Sequence, residues 1–292
     1  MSFPRKREIY NKSLPKEKQT SNFLRLSSQI KIIFIFLIFS CFVRSQTTET
    51  RDDFNIFYEQ FNVEGSFALY DQINDKFIFY NQSQFEQPFT PASTFKICNS
   101  LIGLETGVIK DENFVITWDS VARWLPVWNQ DQDLKSAFKN STVWYYQELA
   151  RRVGGERMNY WLDKANYGNA DISGAIDRFW LTDGLRITPE QQIDFLRRLH
   201  NNKLPFSKRS VDIVKSIMIA KDTLGYVVRA KTGWGEQDDT NIGWDVGYVE
   251  TIDNVYYFAN CIQTTDYENK DFVRARTEIV YQIFNELKLI KK

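Results

Sequence analysis

Ser93 and Lys96 stand three residues apart in segment 91–96, directly before an apolar run that starts at Ile97. If that run is helical, positions i and i+3 share one face, so the lysine amine lies beside the serine hydroxyl. A serine hydroxyl becomes reactive when a neighbouring base takes its proton, and an amine is such a base when burial lowers its pKa. The N-terminus of a helix also stabilises a developing negative charge. The segment therefore predicts a nucleophile, its base and part of an oxyanion site.

The spacing of this pair is not specific by itself. The same Ser-x-x-Lys pattern also starts at Ser13, Ser28 and Ser136. The first two lie in the basic N-terminal segment, and the third lies in a polar stretch. Only Ser93 combines a preceding Pro-Ala with a following apolar run, so its context marks it as the candidate nucleophile.

A second candidate motif, Lys-Thr-Gly at 231–233, follows the predicted strand 226–230. Lysine and threonine at a strand edge can hold a carboxylate, and glycine lets a substrate approach the backbone closely. A strand end with a solvated lysine would look the same. The remaining candidates also have plain interpretations, as a helix cap, a turn, core packing and a surface arginine. They are Ser141-Thr142-Val143, Tyr167-Gly168-Asn169, Phe179-Trp180-Leu181 and Arg274.

The helices and strands that must position these residues are predicted from the pattern of apolar, turn-forming and helix-capping residues. A hairpin is expected around the turn 74–76, and Thr188, with Pro189 at the first helical position and Gln191 three after the cap, marks a helix start. Strands near both termini with helices between them predict an α+β fold, in which one antiparallel sheet is built from both ends of the chain, is flanked by helices and carries a helical insertion. The expected strands are 66–70, 77–80, 225–230, 242–250 and 254–262, and the expected helices are 142–153, 156–165 and about 272–289.

Residues 1–45 have the composition of a secretory signal peptide. A Lys- and Arg-rich region precedes the apolar run 32–39, and small or polar residues follow it. That run is shorter than the about 20 residues that a membrane span needs. Cleavage before Gln46 is expected, which predicts a periplasmic or secreted protein. Residues 38–41 also loosely resemble a lipoprotein box with lipid on Cys41, so a lipid anchor and an uncleaved anchor are alternatives.

Residues 46–292 are predicted to form one domain, with 46–90 and 185–292 as its α/β part and 91–184 as its mostly helical part. Residues 1–45 hold nine of the 37 basic and two of the 37 acidic residues, which leaves 46–292 with a net charge of −7. A nucleic-acid partner needs a basic face and is therefore not expected. Cys98 and Cys261 either pair or remain buried free thiols, and we favour the free thiols.

The one histidine, His200, limits the alternatives further. A His-rich zinc site cannot be built from one histidine, and no metal is expected. A Ser-His-Asp hydrolase would have to use His200, which ends a predicted helix in a polar stretch where a solvated side chain is favoured. No Gly-x-Ser-x-Gly elbow accompanies any serine.

Five motifs, taken together and in order, closely resemble those of the class D serine β-lactamases, the oxacillinase group. The resemblance covers about residues 50–290. Each motif is weak alone, but five in order are highly specific, and the tyrosine of Tyr-Gly-Asn is particular to this class. The resemblance implies the β-lactamase/transpeptidase-like fold and hydrolysis of the β-lactam ring of penicillin-type antibiotics, which confers resistance. The motifs start at Ser93, Ser141, Tyr167, Phe179 and Lys231.

The resemblance also implies how the first motif works. Ser93 would attack the lactam carbonyl and form an acyl-enzyme. Lys96 would be carbamylated by carbon dioxide to N6-carboxylysine, which would act as general base, and no dissociable cofactor is implied. Apolar walls including Val143 and Trp180 would favour the neutral amine to which carbon dioxide adds. The Trp180 indole N–H would then hydrogen-bond the carbamate.

Further roles are implied around the substrate. Ser141 would pass a proton to the leaving nitrogen, with the positive charge of Lys231 nearby. The backbone N–H groups of Ser93 and Trp234 would form the oxyanion hole. Val143 and Leu181 would shape access for the deacylating water. Thr232 and Arg274 would bind the substrate carboxylate. The other implied substrate-binding residues are Gly233, Tyr167, Val143 and Leu181.

Two other functions share part of this pattern. The extracellular sensor domain of the β-lactam receptors carries the same motifs, but it acylates without turnover. Its chain normally has several membrane segments and a protease domain, whereas this chain has one short apolar run. A penicillin-binding transpeptidase or carboxypeptidase shares Ser-x-x-Lys and Lys-Thr-Gly, but the Tyr-Gly-Asn and Phe-Trp-Leu segments argue against it.

Overall fold

The computed structural model describes residues 46–182 and 184–290. The predicted signal segment 1–45, with the lipid site at Cys41, lies outside the described residues. The described residues belong to one structural unit. Among them, no helix combines the length and the apolar character that crossing a bilayer requires.

In the described part of the chain, seven strands form one sheet at the centre of the fold: β1 (Thr47–Thr50), β2 (Glu64–Asp71), β3 (Lys76–Tyr80), β4 (Ile219–Asp222), β5 (Tyr226–Gln237), β6 (Thr240–Thr251) and β7 (Val255–Thr264). Their spatial order is β1-β3-β2-β7-β6-β5-β4. All neighbours are antiparallel except β1, which pairs in parallel with β3. The sheet built from both ends of the chain is therefore confirmed, and the short edge strands β1 and β4 are additions to the prediction.

Helices cover both faces of this sheet. Helices α1 and α8 pack on one face, and α6 packs on the other, where α2 and the remaining helices of the insertion join it. The described helices are α1 (Asn55–Glu59), α2 (Lys96–Glu105), α3 (Leu134–Lys139), α4 (Val143–Val153), α5 (Gly155–Ala165), α6 (Pro189–His200), α7 (Lys208–Ile217) and α8 (Phe272–Glu286).

The two faces of the sheet bury separate sets of side chains. Alternate residues of a strand point to opposite faces, so Leu69 and Phe258 join the cluster under α8, whereas Ala68 and Tyr257 join the larger cluster on the other side. The larger cluster takes side chains both from 91–184 and from the rest of the domain. The proposed division into two parts therefore stays a prediction.

Local sequence signals gave several elements correctly. The Thr188 side chain accepts from the Gln191 backbone N–H, and the Gln191 side chain accepts from that of Thr188, which completes the predicted capping box of α6. The hairpin β2–β3 turns through Asp75, whose φ of 49° is left-handed. The three predicted helices are confirmed as α4, α5 and α8. Cys98 and Cys261 are buried free thiols, as favoured.

Candidate active site

Ser93 and Lys96 are in direct contact. Ser93 lies in a 3-10 turn, Ala92–Phe95, that leads directly into α2 at Lys96. The Lys96 Nζ donates to the Ser93 Oγ over 2.7 Å, as the i, i+3 spacing predicts. Ala92, just before the serine, has a φ of 46°, which is left-handed and costly for a residue with a side chain. The backbone is thus strained next to the candidate nucleophile, as at many functional sites.

The Lys96 amine lies in a dry, aromatic environment. Its side chain is fully buried, and its Nζ is 5.2 Å from the centre of the Tyr146 ring. Burial, reinforced by the charge of Lys231, holds the pKa of Lys96 well below its ordinary value. Burial therefore favours the neutral amine, the form that can accept a proton from Ser93.

Trp180 provides a second unusual group beside this pair. Its ring is fully buried and packs 5.4 Å from that of Phe95, the residue before Lys96. Among the described residues, the indole Nε1–H has no hydrogen-bond acceptor. An unsatisfied buried donor is costly, so this group is available to hold a polar partner that the protein itself does not supply. The next residue, Leu181, is half-buried, and its carbonyl accepts from the Thr90 hydroxyl.

Strand β5 runs very close to the serine turn. A Cβ added to Gly233 would lie 3.0 Å from the Pro91 carbonyl oxygen, and one added to Gly235 would lie 3.0 Å from the Ala92 Cβ. A side chain at either position would be packed tightly against the turn, so glycine favours this approach, which brings the backbone of Trp234 to the turn that carries Ser93. Residues 231–233 lie inside β5, whereas the sequence placed them after the strand. The strand is longer because it pairs with β6 along its whole length.

Lys231 lies between this strand and helix α3. Its Nζ donates to the Thr232 carbonyl over 3.0 Å and is 5.7 Å from the centre of the Phe138 ring. Burial, and to a lesser degree the charge of Arg276, lowers the pKa of Lys231 to about 7, while Asp245 acts in the opposite direction. Lys231 therefore changes its charge near neutral pH.

Ser141 occupies the turn between α3 and α4. Its backbone N–H donates to the Phe138 carbonyl over 3.2 Å, so the turn adjoins the ring that faces Lys231. Its φ of 54° is left-handed. Val143 then begins α4 and is half-buried.

Tyr167 is not on a surface that a substrate reaches, which corrects its predicted role in substrate binding. The side chain is fully buried, with its ring 5.6 Å from that of Phe95 and 4.9 Å from that of Phe195. It packs behind the serine turn, because the chain enters the core directly after α5. Its contacts therefore support the position of Ser93 rather than a ligand.

The structure also places Arg274 away from its predicted position beside the substrate carboxylate. Its side chain is 56% exposed and pairs with Asp271, the residue before α8, and with Glu278 on α8. Arg276 is instead the arginine of α8 that reaches β5, since its Nη1 donates to the Gly233 carbonyl over 2.7 Å. Helical periodicity could have identified Arg276 from the sequence. It is four residues after the buried Phe272 and so lies on the same face of α8, whereas Arg274 faces away from the sheet.

His200 takes no part in this site. Its Nδ1 is 2.9 Å from the Tyr257 hydroxyl, and its Nε2 is 3.3 Å from a Glu250 carboxylate oxygen. Burial and nearby Lys215 and Arg229 lower its pKa. The histidine is thus held by hydrogen bonds rather than solvated, and Ser93 has Lys96, not this histidine, beside it. In the described part of the chain, no group of three His, Cys, Asp or Glu side chains is arranged to hold a metal ion.

Comparison with known proteins agrees with this geometry. A family model of the penicillin binding protein transpeptidase domain matches residues 54–285. The β-lactamase OXA-48 of Klebsiella pneumoniae is 42% identical over 236 residues, which is 81% of this chain and 88% of that protein. A crystal structure of the class D β-lactamase YbXI from Nostoc is 46% identical, with a TM-score of 0.77 over 81% of this chain and 99% of that one.

A receptor domain is similar as well. The C-terminal domain of the Bacillus licheniformis BlaR penicillin receptor is 32% identical, with a TM-score of 0.79 over 85% of this chain and 99% of that one. Fold similarity therefore does not by itself separate an enzyme from a receptor domain, and the chemistry at the serine must do so.

Proposed function

The chain belongs to the class D β-lactamases, and on this basis we propose that it hydrolyses the β-lactam ring of penicillin-type antibiotics through an acyl-enzyme on Ser93. One observation carries the proposal: a fully buried lysine amine donates to the serine hydroxyl over 2.7 Å. That arrangement activates a serine without a histidine. Hydrolysis of the antibiotic would make a cell that exports this protein resistant to it.

The proposed reaction uses these groups in turn. The Ser93 Oγ attacks the lactam carbonyl carbon, while its proton passes to the base at Lys96. The ring C–N bond breaks, and the nitrogen is proposed to take a proton through Ser141, with Lys231 supplying positive charge nearby when it is protonated. Water then attacks the ester carbonyl and releases the product acid and free Ser93. The close approach of β5 supports an oxyanion hole made by the backbone N–H groups of Ser93 and Trp234.

The base at Lys96 is proposed to carry carbon dioxide as a carbamate. Carbon dioxide adds to a neutral amine, which burial favours here, and the Trp180 indole N–H is a buried donor without an acceptor among the described residues. These two residues would therefore hold the group. When present, it would supply a carboxylate-like base in place of the amine, and no other cofactor is proposed.

The substrate carboxylate is proposed to bind at Thr232 and Arg276. Arg276→Ala should raise the KM for a carboxylate-bearing β-lactam on the order of tenfold or more, because a charge-assisted hydrogen bond is lost. Arg274→Ala is the matched control on the same helix and should leave KM within about twofold, since exposed ion pairs contribute little. Steady-state kinetics of both variants, with thermal unfolding to confirm folding, would measure this. A larger KM effect in Arg274→Ala would reverse the assignment.

Sustained turnover separates the proposed enzyme from a receptor domain. With nitrocefin in large excess and bicarbonate present, the purified protein should hydrolyse many equivalents per active site, because a deacylation base contributes about 10²–10⁴-fold to the rate. A receptor domain would release one equivalent and then stall. Product counted against enzyme concentration decides between the two.

We further propose that the protein is exported and acts in the periplasm or outside the cell. The basic region and apolar run of 1–45 support this. Cell fractionation with N-terminal analysis should find mature protein starting near Gln46, or lipid on Cys41 if the tethered form is made. Full-length protein in the cytoplasm would contradict both forms.

A further inference from the structure

The buried side chain of Gln192 reaches from helix α6 to the turn that carries Ser93. Its Nε2 donates to the Thr94 Oγ1 over 2.9 Å, although the two residues are 98 positions apart in the chain. Gln192 is 1% exposed, and Thr94 is fully buried. A buried amide is costly unless it is hydrogen-bonded, so this contact fixes where the glutamine side chain lies.

Thr94 connects this contact to the other side of the serine. Its Oγ1 donates to the Pro91 carbonyl over 2.8 Å, and its backbone N–H donates to the same carbonyl over 3.1 Å. A threonine hydroxyl has one proton, and because the Gln192 amide donates to its oxygen, that proton remains for Pro91. The residues on either side of Ala92 and Ser93 are therefore tied to each other and to α6.

The serine turn needs support because its backbone is strained. Ala92 has a φ of 46°, and a left-handed residue with a side chain persists only where surrounding contacts hold it. The Pro91 carbonyl oxygen also packs against β5, since a Cβ added to Gly233 would lie 3.0 Å from it. A shift of this turn would move the Ser93 backbone N–H, and also the Ser93 Oγ that is 2.7 Å from the Lys96 amine.

Helix α6 is itself anchored to the segment that leads into this turn. Phe89 and Ile187 exchange two backbone hydrogen bonds, of 3.0 and 2.9 Å, directly before the Thr188 cap of the helix. The capping box then fixes the first turn of α6, and Gln192 directly follows its second member, Gln191. Gln192 therefore extends from a helix whose start is held at two places, and such an element can position a distant group accurately.

We propose that Gln192 is a positioning residue for the acylation of Ser93, because it holds the Thr94 hydroxyl and, through it, the backbone on both sides of the nucleophile. The inference rests on the proposed function. In acylation the Ser93 Oγ bonds to the lactam carbonyl carbon, the ring C–N bond breaks, the hydroxyl proton goes to the base at Lys96, and the ring nitrogen gains a proton. Gln192 is buried and has no assigned contact with the substrate, so its loss should slow this step without weakening substrate binding.

The first test replaces the amide with an apolar group of similar size, Gln192→Leu, or Gln192→Met if leucine does not fit. Acylation by a slow β-lactam is followed by rapid quenching and intact mass spectrometry, at a temperature where thermal unfolding shows each protein to be folded. The limiting rate should fall about 10–10²-fold, the effect of slightly misplaced reacting groups. The substrate concentration that gives half of that rate should not change. Gln191→Leu is the matched control, because it breaks the capping box of the same helix and should change neither value.

Variants of Thr94 test the connection itself. Thr94→Ser keeps the hydroxyl and should acylate at close to the wild-type rate, whereas Thr94→Val keeps the shape without the hydroxyl and should acylate slowly. Because Gln192 acts through that hydroxyl, adding Gln192→Leu to Thr94→Val should cause no further loss. The double variant also leaves no unpaired amide in the core.

A slower limiting rate in Gln192→Leu, with half-saturation unchanged and with Gln191→Leu like the wild type, supports the proposal. A wild-type rate in the folded Gln192 variants, a change confined to half-saturation, an equal loss in Gln191→Leu, or losses that multiply in the double variant would each overturn it. If the wild type forms no adduct on Ser93, the proposed function fails, which is a different result from an active enzyme that tolerates Gln192→Leu.

Discussion

Ser93→Ala should lose kcat on nitrocefin by on the order of 10⁶-fold, because the substitution removes the hydroxyl that forms the ester. The wild type, after brief exposure to a slow β-lactam, should show one covalent adduct by intact mass spectrometry, and digestion should place it on the Ser93 peptide. The Ser93→Ala protein should show none.

Ser136 provides a matched control within the same chain, since it also precedes a lysine by three positions, Lys139 on α3. Spacing is the same, but Lys139 is exposed whereas Lys96 is fully buried. Ser136→Ala should therefore retain wild-type turnover. An adduct that survives in Ser93→Ala, or a comparable loss of activity in Ser136→Ala, would exclude Ser93 as the nucleophile.

Lys96→Ala should lower kcat by about 10²–10⁴-fold, the usual contribution of a general base. Any slow acylation that remains should leave the ester on Ser93, since deacylation needs the same base. Intact mass spectrometry of this variant should therefore show an adduct that persists for longer than in the wild type. Rapid release of the acyl group from Lys96→Ala would show that another residue activates the water.

The carbamate predicts how activity responds to carbon dioxide. Activity should fall as pH drops, because acid protonates and decomposes a carbamate, and added bicarbonate should restore the activity lost after acid treatment and degassing. Trp180→Phe keeps a large aromatic ring but removes the indole N–H. It should need more bicarbonate than the wild type for the same rate. Rates independent of bicarbonate in both proteins would mean that the base is the unmodified amine.

The sequence alone determined those features that depend on short-range spacing. The contact between Ser93 and Lys96 follows from their i, i+3 spacing, which places both residues on one face of a helical turn. The start of α6 follows from the capping pattern at Thr188. The hairpin β2–β3 and the long strands β6 and β7 follow from runs of strand-forming residues. In each case the signal that predicts the structure lies within a short stretch of the chain, so the local sequence is sufficient to predict it.

Only the tertiary structure decided which distant side chains share the site. Tyr167 lies in a motif near the active serine, yet the core encloses it, and the position of α8 on the sheet selects Arg276 rather than Arg274. Asp245 looks like an ordinary residue in an apolar strand, and only its register opposite Thr232 shows which face of the sheet its buried carboxyl lies on. These outcomes depend on how a helix and a strand distant in sequence pack together, and on the loss of solvent that follows, which local patterns do not encode.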